Sequence, residues 1–282
     1  QLEVYLNVVA ELEYLQTLPP ARGGICPGQR FYVGYDLRPS STRFVPEQGG
    51  RGEIAQAVMT AVSDAGLRPV NLGPIPVPAL AYYASLNRCG GIMVTGSHIP
   101  FDRNGYKTYS AAGELRKEDE TPIAARSAAV RGRLYSQPMT ESKFNRSGML
   151  RVGHVDLPDP DCAWRLSYLK RYVDFFCDSV ANRLGPQAPC TVLAGLRVVV
   201  YEHSAVGRDL LADALRALGA EVVGAGRIDQ FVPIDTENFD ANLAAVVQGL
   251  AVAAWQTHGR LDAVVSTDGD GDRPLILGVD AG

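Results

Sequence analysis

The sequence predicts an α/β protein of two similar domains, each a mixed, mostly parallel sheet with helices on both faces. Short apolar runs such as Arg30–Asp36, Gly91–Val94, Leu196–Tyr201 and Leu261–Ser266 alternate with stretches of helical period, the pattern of a covered sheet. Two of these runs open directly into polar, reactive loops, and α/β sheets place ligands at the carboxyl ends of their strands. A length of 282 residues suits two domains of ~100–200 residues each.

The chain opens with Leu2, Leu6, Val9, Leu12 and Leu15 at helical spacing, which predicts an amphipathic helix over Leu2–Leu18, stopped by Pro19-Pro20. Arg30–Asp36 reads as a strand followed by the polar turn Leu37–Ser41. Glu53–Ala65 reads as a helix ended by Gly66, and Pro69–Leu72 as a second strand. The run Gly73–Pro78 carries three prolines and cannot be a central strand. A helix over Ala79–Asn87 follows, then a strand over Gly91–Val94, a short strand over Tyr106–Tyr109 and a helix over Glu118–Arg131. Periodicity is lost between Tyr135 and Asp161, so the boundary is placed near Leu157–Pro160, with domain 1 at 1–157 and domain 2 at 158–282. The second half repeats the alternation: helix Trp164–Leu184, strand Leu196–Tyr201, helix Gly207–Leu218, strand Ala220–Gly224, helix Asp240–His258, strands Leu261–Ser266 and Leu275–Val279. No residue-level repeat links the halves. The last residues, Val279–Gly282, read as a turn leading onward, as in a piece of a longer protein.

A net charge of −4 without a basic run argues against nucleic acid. No apolar run approaches the ~20 residues of a membrane span, and no signal peptide is visible. The chain begins at Gln1, which leaves room for a removed leader. The five cysteines are widely spaced without a Cys-x-x-Cys pair, which argues against zinc and disulfide frameworks and for free thiols in the cytoplasm.

The chemistry lies in two loops. Ser266–Arg273 sets Asp268, Asp270 and Asp272 at alternate positions, separated by glycines. Alternate residues on a tightly bent backbone can aim their oxygens at one centre, and three hard anionic oxygens suit Mg²⁺ or Ca²⁺. A calcium EF-hand needs Gly at its sixth position and Glu at its twelfth, where this loop has Arg273 and Val279. An open three-carboxylate site leaves room for water or phosphate, the preference of Mg²⁺. Arg273, beside it, is either a salt-bridge partner or a fork of donors for phosphate.

The other loop, Thr95–Lys107, holds Ser97, His98 and Lys107. Gly96–Pro100 fails the Gly-x-Ser-x-Gly elbow of hydrolases. A serine that carries phosphate resting on a metal fits better beside the carboxylate loop. Lys107 is a candidate general acid/base if neighbours lower its pKa. Arg38, just past the first strand, is open to a salt bridge or a phosphate contact.

Thr95-Gly-Ser-His-Ile-Pro with Asn104-Gly105-Tyr106-Lys107, Asp268-Gly-Asp-Gly-Asp-Arg273, and Gly34-Tyr-Asp-Leu-Arg-Pro-Ser-Ser41 together resemble, in order and spacing, the motifs of the α-D-phosphohexomutase family, in its phosphomannomutase/phosphoglucomutase branch. The resemblance implies that Ser97 is the phosphoserine that donates and recovers the phosphoryl group. It implies that Asp268, Asp270 and Asp272 hold Mg²⁺, which also meets the serine phosphate at Ser97. It makes Lys107 the general acid/base and puts His98, Arg38 and Arg273 around the phosphoryl site. The implied reaction moves phosphate between the 1- and 6-positions of a hexose, mannose or glucose, through a bisphosphorylated intermediate. Ile99 stands where the family usually has Asn. The resemblance covers most of the first two of the family's four domains, so the sugar- and phosphate-reading loops of the other two have no counterpart. Two rivals remain: a non-catalytic protein keeping the fold for binding or assembly, and a phosphatase using Asp268 as nucleophile.

Overall fold

The computed structural model describes residues 1–48, 51–97, 99–184 and 191–279. They form two compact units, Gln1–Gly96 with Asp102–Cys162, and Ser97–Phe101 with Ala163–Gly282.

Unit 1 opens with α1 (Leu2–Leu15), whose Leu6, Leu12 and Leu15 are fully buried. The helix ends before Leu18 because its last turn loosens into Thr17 N–H to Tyr14 O and Leu18 N–H to Leu15 O bonds ahead of Pro19-Pro20. Strand β1 (Arg30–Tyr35) leads into α2 (Pro39–Thr42), a single turn with Pro39 at its first position. Two-residue strands β2 (Phe44–Val45) and β3 (Arg51–Gly52) pair antiparallel. Then come α3 (Ile54–Asp64), β4 (Arg68–Pro74), α4 (Val77–Leu86), β5 (Gly90–Val94), β6 (Tyr106–Ser110), β7 (Gly113–Glu114) and α5 (Glu120–Ser136). The sheet order is β4-β1-β5-β6-β7, with β1 parallel to β4 and β5, and β6 and β7 antiparallel. The proline-punctuated end of β4 is tolerated because β4 is an edge strand.

Side chains of β1 alternate between the two faces. Phe31 and Val33 join the core built with α1 and α3. Tyr32 lies against Tyr83 of α4, with ring centroids 5.2 Å apart. A Cβ at Gly34 would stand 2.2 Å from Ile75 Cγ2, so the α4 side packs directly on backbone. Unit 1 is thus helix, sheet, helix.

Unit 2 contains α6 (Ala163–Leu184), β8 (Arg197–Tyr201), α7 (Arg208–Ala217), β9 (Glu221–Ala225), α8 (Ala241–His258), β10 (Ala263–Thr267) and β11 (Pro274–Gly278). The order is β11-β10-β8-β9; β8 runs parallel to β9 and β10, and β11 antiparallel to β10. Val199 and Val264 pack with Leu243, Val247 and Ala254 of α8, while Val198, Val200 and Val265 pack with Ala212 of α7. Asp240 caps α8 by accepting the Leu243 N–H at 2.8 Å.

The two units repeat one strand order. In unit 1 it runs β6-β5-β1-β4 and in unit 2 β11-β10-β8-β9. In both, the third strand pairs parallel with the first, and the antiparallel fourth strand leaves by a loop from its end. Those two loops are the two polar loops singled out in the sequence.

Three findings differ from the sequence expectations. Residues 158–162 belong to unit 1, not to the second domain, because Asn71 holds them: its Nδ2 donates to Pro158 O at 2.6 Å, and its carbonyl accepts the Asp161 N–H at 2.8 Å. Ser97–Phe101 groups with unit 2. Cys26, Cys89 and Cys162 are free thiols, but Cys177 is disulfide-bonded. Among the described residues no helix is long and apolar enough to cross a membrane.

Candidate functional site

The loop between β10 and β11 is a tight hairpin. Asp268 N–H donates to Arg273 O at 3.0 Å, and Gly271 takes a φ of +78° that suits glycine. Asp268 Oδ1 accepts the backbone N–H groups of Gly271 and Arg273, at 3.1 and 3.2 Å. This folds the alternate carboxylates together: Asp268, Asp270 and Asp272 each bring an oxygen within 4.8 Å of the others. Asp268 and Asp270 have no exposed surface. Burial, then the charges of Asp270 and Asp272, push the Asp268 carboxyl up to about 7. A buried cluster of oxygen anions that repel one another is the donor set a hard divalent cation neutralises, so these residues fit such an ion.

Ser97 meets this loop. Its Oγ donates to Asp268 Oδ2 at 3.2 Å, across 171 positions of sequence. Ser97 is buried and holds a φ of +50°, a left-handed conformation unusual for a residue with a Cβ. Gly269 permits the approach, since a Cβ there would lie 3.3 Å from Ser97 O and 3.2 Å from Phe231 Cζ.

The structure therefore brings together Ser97, Asp268, Asp270 and Asp272. Arg273 sits at the end of the same loop, with its guanidinium 3.4 Å from Glu237 Oε2, a pair whose Glu237 side is largely exposed. Arg38 and Lys107 belong to unit 1. Arg38 is fully buried with its Nε 3.2 Å from Asp36 Oδ2. Lys107 lies on β6, opposite Met93. His98 lies outside the described residues. An open apolar groove of about 790 Å³ in the same unit, lined by Val247, Ala251, Trp255, Val264 and Leu277, holds no acid, base or nucleophile and is set apart from this chemistry.

Sequence reasoning missed His203. Fully buried, it places Nε2 2.8 Å from Thr267 O, the residue before Asp268, and a carbonyl can only accept, so the ring is the Nε2–H tautomer. Val206 N–H donates to Gly269 O at 3.0 Å, so the turn after β8 grips the carboxylate loop on both sides of Asp268. Burial pushes His203 down to about 4. Its unfolded-state value lies near 6.5, so the native state binds fewer protons between these limits. The stability it adds is complete above about pH 6.5 and lost as pH falls toward 4, up to ~3 kcal/mol. The stability difference between the protein and His203→Gln, measured by urea denaturation, should shrink by that amount from pH 7 to 4. A pH-independent difference would contradict it. The difference isolates His203, because Asp268 titrates in the same window with the opposite sign.

Residues 23–132 match the family described as phosphoglucomutase/phosphomannomutase, alpha/beta/alpha domain I. A phosphomannomutase of Sinorhizobium fredii is 35% identical over 255 residues, 90% of this chain and 45% of its own length. A phosphomannomutase of Salmonella muenchen is 39% identical over 226 residues, 79% of this chain and 39% of its own length. This chain thus spans less than half the length of these curated relatives. A phosphoglucomutase/phosphomannomutase family protein of Burkholderia thailandensis shares the fold, with a TM-score of 0.57 at 19% identity over 98% of this chain and 50% of that one. Residues 23–132 thus carry domain I of the phosphoglucomutase/phosphomannomutase family, and the chain is similar to phosphomannomutases over less than half of their length.

Proposed function

We propose that this chain carries the phosphoryl-transfer machinery of an intramolecular phosphotransferase that interconverts hexose 1-phosphate and hexose 6-phosphate, with mannose or glucose as the sugar. The observation that carries the reading is Ser97 Oγ at 3.2 Å from Asp268 Oδ2, beside two further carboxylates. Asp268, Asp270 and Asp272 would hold Mg²⁺, which when bound supplies positive charge against a phosphate on Ser97. The similarity to two phosphomannomutases favours mannose.

Ser97 begins the cycle as a phosphoserine. A hydroxyl of the sugar monophosphate attacks phosphorus; its O–P bond forms as the bond to Ser97 Oγ breaks. Lys107, in its neutral form, takes the hydroxyl proton. The sugar is then a bisphosphate, and Ser97 Oγ keeps the electron pair as an alkoxide, whose charge a cation held by the three aspartates would offset. After the bisphosphate turns over, Ser97 Oγ attacks the other phosphate, and the protonated lysine returns its proton to the leaving sugar oxygen. Arg273 exchanges Glu237 for phosphate oxygens and neutralises charge on the group in transit.

Peptide mass spectrometry after incubation with glucose 1,6-bisphosphate and Mg²⁺ tests the reading. An acid-stable phosphate on the Ser97 peptide is expected. A hydroxylamine-labile phosphate on Asp268 would establish the phosphatase reading instead. No phosphate on either residue would leave a phosphohexomutase fold kept for binding or assembly.

A further inference from the structure

Asp36 closes β1 and receives four hydrogen bonds. Its Oδ1 accepts from Arg38 N–H at 3.0 Å and Ser41 Oγ at 2.8 Å, and its Oδ2 from Arg38 Nε at 3.2 Å and Thr95 Oγ1 at 3.0 Å. Arg38 Nη1 donates to Arg103 O at 3.0 Å. Asn104 Nδ2 donates to Ser40 Oγ and Ser41 Oγ, both at 3.0 Å. Thr95 N–H donates to Gly105 O at 3.1 Å. Asp36, Arg38, Ser40, Ser41 and Thr95 are all buried. A Cβ at Gly96 would stand 2.8 Å from both Arg38 Cζ and Nε, so the guanidinium lies on the backbone just ahead of Ser97.

These bonds share one geometry. Thr95 and Gly96 form the entry to the Ser97 loop, and Arg103 and Asn104 form its exit. Asp36 and Arg38, with Ser40 and Ser41, touch both. A side chain that must receive phosphate has to offer donors to it, whereas the Arg38 side chain has no exposed surface and is countered by Asp36. Inside a protein such a satisfied buried network fixes one conformation. It is also what can hold Ser97 at a left-handed φ against its intrinsic preference.

We propose that the Asp36–Arg38 pair is a clamp that fixes both ends of the Ser97 loop, which makes Arg38 a positioning residue and not a phosphate ligand. The catalytic part of this statement rests on Ser97 being the phosphoryl acceptor; the mechanical part does not.

Two variants separate the roles. Thr95→Val keeps the shape and charge but removes the entry bond to Asp36. Arg38→Lys keeps the charge but cannot reach Asp36 and Arg103 O with one planar fork. Amide hydrogen exchange is measured in the protein without sugar phosphate, and Ser97 phosphorylation by glucose 1,6-bisphosphate is followed by mass spectrometry. The clamp predicts that both variants speed exchange across residues 95–107 while α3 and α4 keep theirs. It predicts a maximal phosphorylation rate lowered on the order of 10²-fold, with an unchanged half-saturating bisphosphate concentration. Unchanged exchange in both variants would overturn it. So would Arg38→Lys raising the half-saturating concentration with exchange unaltered, the signature of a phosphate contact. If exchange rises but wild-type Ser97 takes no phosphate, the clamp stands as a loop-fixing device and the phosphotransferase reading falls.

Discussion

Asp270→Asn is expected to abolish tight divalent-cation binding and, in the cation-free protein, to raise the thermal midpoint. The first half follows from the donor set. Three carboxylates share one centre, and losing even an outer-shell partner of a metal ligand costs about 10–100-fold in affinity, so losing a ligand should cost at least ~100-fold. The second half follows from the same crowding. Without a cation the cluster gathers like charges within 4.8 Å in a buried place. An amide of the same shape removes one of them and relieves its neighbours by on the order of 1 kcal/mol, a shift of several degrees for a unit of this size. Asp270 is the better choice over Asp268, whose Oδ1 also holds the Gly271 and Arg273 N–H groups and so supports the loop itself. Titration calorimetry with Mg²⁺ and Mn²⁺, and scanning calorimetry in chelator, read the two halves separately. Wild-type affinity in the variant, or a lowered midpoint in chelator, would show that the carboxylates are an ordinary polar turn.

Replacing Ser97 separates chemistry from strain. Ser97→Ala and Ser97→Gly both remove the hydroxyl, and each should lower phosphoryl transfer by at least ~10⁴-fold, as expected when a nucleophile is deleted. Their stabilities should diverge. Alanine keeps a Cβ at φ +50° and forfeits the bond to Asp268, so it should be less stable than the parent by about 1 kcal/mol. Glycine forfeits the same bond but relieves the left-handed strain, so it should match or exceed the parent. Urea denaturation of the three proteins gives the order directly. A glycine variant as unstable as the alanine one would mean that Ser97 is not strained, and that its unusual dihedral has no bearing on function.

Much of this was legible in the sequence, and the reason is local. The main strands and longer helices declare themselves through apolar period and punctuation by Gly and Pro, and they stand within a few residues of the expected bounds. The single turn α2 and the two-residue strands β2, β3 and β7 are too short to show any period. The carboxylate loop was readable because alternate acids separated by glycine have few other uses. The brace beneath the Ser97 loop was not. Asp36 and Thr95 lie 59 positions apart, and Asn104 reaches back 63 and 64 positions to Ser41 and Ser40, so each looks like an ordinary turn residue until the sheet joins them. His203 was missed for a related reason: a lone histidine after a strand carries no signal, and its role exists only because β8 and β10 are neighbours. The segment 158–162 was misassigned because proline-rich sequence looks like a linker, while Asn71 anchors it to unit 1.

The repeated strand order also bears on how such a molecule can change. In each unit the hairpin between the parallel third strand and the antiparallel fourth is a socket whose register is set by the strands on either side, not by the loop it holds. One socket carries the eleven residues 95–105 and the other the six residues 268–273, with no common sequence. A scaffold that accepts loops of such different length and charge at one address can trade a nucleophile for a cluster of anions without redrawing its sheet. Novelty in this architecture is therefore expected to collect at the hairpin that follows the third strand of the repeated order in each unit, while the buried strands behind it stay fixed.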